Sequence, residues 1–70
     1  MKATGFAIVT DGVIDVRTVS PTKVGAMVNW LYRAGVFPYA WWSDEEIEGA
    51  FNLQPKGQTF CRSVSIEVDL

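Results

Sequence analysis

Six of the nine aromatic residues of this 70-residue chain lie between Trp30 and Trp42, in the run W-L-Y-R-A-G-V-F-P-Y-A-W-W. The only charge in that run is Arg33. A chain this short buries roughly 60% of the surface its unfolded form exposes, so six rings are hard to hide at once. They complete a core too small to be built from aliphatic residues, or some face a partner, or they line a small-ligand pocket. Trp41 and Trp42 press the question hardest. In extended chain, adjacent side chains point to opposite sides, so both are buried only if both sides are covered.

The rest of the composition bounds the answer. Apolar residues make up 49% of the chain, enough for a single folded domain spanning residues 1–70 and too many for a disordered one. The formal net charge is -2 with the charges scattered, which gives no electrostatic track for nucleic acid. Cys61 is the only cysteine, which predicts no internal disulfide and a reducing compartment. The first residues carry no apolar secretory region, and no apolar run approaches the ~20 residues of a membrane span. These features predict a cytoplasmic protein with no membrane association.

Gly5–Thr10 and Val13–Val19 are rich in Val, Ile, Thr and Phe and read as strands around Asp11-Gly12, a strong hairpin signal. A two-residue loop would set Ile8 opposite Asp15 and mix apolar and charged groups on one face. A three-residue loop, Thr10-Asp11-Gly12, sets Ile8 opposite Ile14 and Phe6 opposite Val16, with Gly12 in a bulge position. The burial argument predicts the three-residue loop.

Ser20-Pro21 predicts a helix start, with Ser20 as the cap and Pro21 at the first helical position. Val24, Met27, Val28 and Leu31 form its apolar stripe, Trp30 lies at the stripe's edge, and Asn29 and Arg33 are expected in solvent. Gly35 is placed to end this helix in a left-handed cap. Pro38 excludes a continuing helix, so Val36–Trp42 reads as extended chain or a short edge strand. Ser43-Asp44-Glu45-Glu46 is a capping box for a second helix whose apolar face is Ile47, Ala50 and Phe51. Pro55-Lys56-Gly57 reads as a turn.

In the last strand, from about Gln58, Phe60, Val64, Ile66, Val68 and Leu70 alternate with Cys61, Ser63, Ser65, Glu67 and Asp69. This period of two predicts an apolar core face, broken only by Arg62, and a wet face bearing Cys61. The order is β-β-α-(extended)-α-β. It predicts an α+β two-layer sandwich: a small antiparallel sheet, made of the hairpin and the C-terminal strand, covered on one face by two helices.

Little in the chain speaks for catalysis. With no histidine, Ser-His and Cys-His nucleophile pairs are impossible. Arg62 beside Cys61 could lower the thiol pKa, but an incidental strand cysteine is the simpler reading. Asp44, Glu45, Glu46 and Glu48 could hold a metal, but their spacing matches a helix start and no calcium-loop pattern. The scattered glycines make no phosphate-cradling loop. No enzyme, metal or cofactor is therefore expected.

The stretch I-V-T-D-G-V-I-D-V-R-T-V-S, followed by N-W-L and later by S-D-E-E-I-E, resembles short uncharacterised proteins of bacterial prophage and phage genomes. The resemblance implies a bacterial or phage cytoplasmic setting and carries over no catalytic residues. The functional expectation is a non-enzymatic accessory protein that binds a protein, either its own copy as a homodimer or a host factor that it inhibits or modulates. The expected partner-binding residues are Trp30, Phe37, Tyr39, Trp41 and Trp42. The alternative is a nucleic-acid-binding module that uses Arg17, Lys23 and Arg33 with stacking aromatics.

Overall fold

The computed structural model describes residues 2–54, 57 and 59–67. The expected turn at 55–57 and the end of the last strand, 68–70, lie wholly or partly outside the described residues. Within them the order is β1 (Lys2–Thr10), β2 (Val13–Ser20), α1 (Lys23–Arg33), α2 (Asp44–Leu53) and β3 (Thr59–Glu67). The strands form one antiparallel sheet in the order β2-β1-β3, and the fold is the expected small α+β architecture.

The hairpin turns at Asp11 and Gly12, both with positive φ, 51° and 81°. Positive φ at both central residues is the two-residue geometry that matches strand twist. Thr10 therefore faces Val13, Val9 faces Ile14 and Ile8 faces Asp15. The three-residue loop predicted from burial does not form. Asp15 is tolerated opposite Ile8 because it meets a cation at the end of α1: Arg33 Nε lies 3.8 Å from Asp15 Oδ2.

Beyond Asp15, β2 bulges. The next paired residues are Phe6 and Ser20, so Val16 to Val19 lie opposite Ala7 alone. Thr18 holds this bulge together. It is fully buried; its Oγ1 accepts the Ile8 N–H at 2.8 Å and donates to the Asp15 carbonyl at 2.7 Å. The hydroxyl thus satisfies a β1 amide that an unbulged β2 would pair through its backbone. Asn29, expected in solvent, instead donates from Nδ2 to the Thr18 carbonyl at 3.2 Å and ties α1 to the bulge.

α1 starts two residues later than the sequence suggested. Ser20 is held in the sheet opposite Phe6, and Thr22 is the cap: its Oγ1 accepts the Gly25 N–H at 2.9 Å. The helix ends as predicted. Gly35 has φ 85°, its N–H donates to the Tyr32 carbonyl, and the Val36 N–H donates to the Leu31 carbonyl at 2.9 Å. That pair of bonds is a Schellman cap, and Val36 packs back on the core as such caps favour. α2 opens with the predicted capping box. Ser43 Oγ accepts the Glu46 N–H, and the Glu46 carboxylate accepts the Ser43 N–H, both at 3.2 Å.

α1 lies on the sheet and α2 packs against α1. Because α1 is covered from two sides, its buried surface is wider than one stripe. Ala26, Met27 and Leu31 are buried, while Val24, Val28 and Trp30 are half-buried around them. Ile8, Ile47 and Phe51 complete this core, with Phe6, Trp42 and Cys61 at its margin.

β3 reverses one expectation. Its register with β1 is unbroken from Lys2–Glu67 to Thr10–Thr59, and it pairs Ile8 with Cys61 and Val9 with Phe60. Ile8 belongs to the core under the helices, so Cys61 faces the helices too. Phe60, Val64 and Ile66 lie on the helix-free face, beside Val9 and Ala7. Alternation shows which residues share a face; Phe6 and Ile8 on the central strand decide which face the helices cover.

Candidate functional site

The link between the helices, residues 34–43, is neither a strand nor fully extended. Residues 36–39 have no regular structure, and a turn follows in which the Trp42 N–H donates to the Tyr39 carbonyl at 3.0 Å. The possible edge strand over Val36–Trp42 is therefore absent. Pro38 gives the physical reason, since it has no N–H to donate to a ladder.

The turn separates the two adjacent tryptophans. Trp42 is half-buried against the core, whereas Trp41 is 75% exposed. Tyr39 bridges them. Its ring stacks on Trp41, with centroids 4.6 Å apart and planes 6° from parallel, and it meets Trp42 edge-on at 5.9 Å. The exposed pair is thus braced by a ring anchored in the core. Offset stacking and edge contacts of this kind are worth ~0.5–1.5 kcal/mol each, enough to orient exposed rings.

Phe37 is 63% exposed and meets Tyr32 edge-on at 5.4 Å. Tyr32 is also exposed and was missed as a site residue. The signal was the Gly35 cap, which reverses the chain and returns Phe37 to the last turn of α1. Trp30 is placed differently: it is half-buried and packs edge-on against Phe51 at 5.1 Å, between the helices. Of the five expected partner-binding residues, Phe37, Tyr39 and Trp41 stand open to solvent. Trp30 and Trp42 mainly support the structure beneath them.

The electrostatics around the loop are one-sided. Asp44, Glu45 and Glu46 follow it directly and are exposed. Arg33, the one cation within the aromatic run, reaches Asp15 instead. Arg17 lies 3.6 Å from the same carboxylate, so two of the three cations of the nucleic-acid alternative converge on one acid.

Cys61 sits half-buried, and its Sγ lies 3.9 Å from the Lys23 carbonyl. Burial pushes its thiol above the ordinary value, by more than the nearby Lys23 ammonium pulls it down. Among the described residues, no group of three His, Cys, Asp or Glu side chains could hold a metal ion. A wide-open hollow along β2 is lined by Thr10, Val13, Ile14, Asp15, Val16 and Arg17, and none of the loop aromatics borders it. No helix among the described residues is long and apolar enough to cross a membrane.

No protein-family model, curated protein or solved structure matches the chain.

Proposed function

We propose that this chain is a small non-enzymatic binding module whose aromatic loop, with Phe37, Tyr39 and Trp41 at its centre, docks on another protein. The observation that carries the reading is the Tyr39–Trp41 stack: two large rings held in a fixed pose and left in water. Holding rings rigid before binding lowers the ordering cost of an interface, and Trp and Tyr dominate interface hot spots. The acids at the start of α2 favour a partner surface that is apolar at its centre and basic at its rim. A phage or prophage accessory protein acting on a host factor in the bacterial cytoplasm is the setting we propose. Its support is the resemblance of the hairpin and cap motifs and the single cysteine.

The test is capture from bacterial lysate with the tagged full chain, followed by titration of the purified captured protein. The wild type binds, and Trp41→Ala weakens binding at least about tenfold without changing the fold. Equal binding by the variant, or no captured protein, would overturn the reading. Binding of single-stranded nucleic acid that weakens steeply with salt would instead favour the alternative through Arg17, Lys23 and Arg33.

A further inference from the structure

The two edges of the sheet are built differently. The β2 edge is blunted: it bulges opposite Ala7, and Asp15 and Arg17 stand within or beside the bulge. Bulges and charges of this kind are how proteins stop an edge from pairing. The β3 edge carries neither a bulge nor a proline. From Phe60 to Ile66 it runs in unbroken register with β1, and no described strand pairs with its outer side. Its one charged side chain over that span is Arg62.

We propose that a second copy of this chain pairs along the outer edge of β3, antiparallel across a two-fold axis, to make one continuous six-stranded sheet. Antiparallel self-pairing of an edge is closed by symmetry, so it stops at two copies, and the blunted β2 edges end the larger sheet. The register follows from the side chains. Centring the axis on Ser63 keeps Phe60 to Ile66 paired throughout and sets each Phe60 opposite Ile66 of the other copy. An aromatic ring against a β-branched side chain is a favourable cross-strand pair. It also sets Arg62 opposite Val64. A shift that centred the axis on Arg62 would put like charges directly opposite, which is unfavourable.

A second copy fits better than an unrelated strand because this register is self-complementary on both faces. On the helix-free face Phe60 meets Ile66 and Val64 meets the Arg62 stem. On the helix-facing side Ser63 meets Ser63 and Cys61 meets Ser65. Phe60 is 49% exposed in the single chain, and this pairing covers it. The surface is separate from the aromatic loop, so the two proposals stand or fall independently.

Sedimentation of the full chain tests the proposal, with Ser63→Lys and Trp41→Ala alongside. The wild type is dimeric. Ser63→Lys, at an exposed position, places two cations opposite each other on the axis and weakens the dimer about tenfold or more. Trp41→Ala leaves the dimer intact. A second variant covers the case in which Ser63→Lys fails to fold. Ser63→Cys in a Cys61→Ser background cross-links to a covalent dimer under mild oxidant, because its two thiols lie across the axis. A wild type that stays monomeric at millimolar concentration would overturn the proposal. So would a dimer that Ser63→Lys leaves unchanged while folded, or the absence of the cross-link.

Discussion

Thr18 shows how much one hydroxyl can decide. It replaces a backbone partner for Ile8 and fixes the Asp15 carbonyl, and it is itself fully buried. Thr18→Val keeps the shape and removes both bonds, leaving a buried amide unsatisfied. The expected loss is ~1–3 kcal/mol in urea unfolding. A loss within error would mean that the bulge is held by its turn alone. Cys61 makes a second prediction at this scale. A thiol held above its ordinary pKa has less thiolate at neutral pH, so Cys61 should react with iodoacetamide more slowly than a free thiol. Its rate should climb toward the free value only as pH rises above the ordinary thiol range. The same shift bears on stability. The folded state favours the neutral thiol, so the contribution is whole below the ordinary thiol pKa and is lost as pH rises through the raised one.

At the scale of elements, the Gly35 and Ser43 caps were legible, whereas the start of α1 and the face of β3 were not. Ser43 with Glu46, and Gly35 at the end of α1, are local devices, and local devices can be read from a few adjacent residues. The hairpin misled because two local signals competed. Burial patterning favoured one register and the Asp11-Gly12 turn favoured the other. The turn prevailed, and Arg33, eighteen residues away in sequence, meets the misplaced Asp15. The face of β3 was hidden for a similar reason: alternation repeats on both sides of a sheet, and only the helix packing chooses between them. The two interior helix glycines give a paired prediction. A methyl group at Gly49 meets no atom within 4 Å, whereas one at Gly25 would collide with Ser20 Oγ and the Thr22 cap. Gly49→Ala should therefore stabilise the chain by ~0.5–1 kcal/mol, as helix propensity dictates, and Gly25→Ala should destabilise it. Thermal unfolding of the two variants reads both; a shift of the same sign in each would contradict this packing.

For the whole molecule, the governing fact is that a small core leaves apolar groups outside. The core gathers on the helix side of the sheet, around Ile8, Leu31 and Phe51. Phe60 remains partly exposed on the other side, and Phe37, Tyr39 and Trp41 remain exposed in the loop. The sequence alone located the aromatic segment and the tension at Trp41–Trp42. It could not show that a turn after Pro38 turns one ring inward and leaves the other stacked on Tyr39, because that depends on where the core already lies. Trp41 belongs to a surface and Trp42 to the structure beneath it. Urea unfolding of Trp41→Ala beside Trp42→Ala tests it most directly. The expected loss is at most about 1.5 kcal/mol for Trp41→Ala, the worth of one exposed stack, and several-fold more for Trp42→Ala. A loss of about 3–5 kcal/mol for Trp41→Ala, as large as a core ring's, would mean that Trp41 belongs to the core instead.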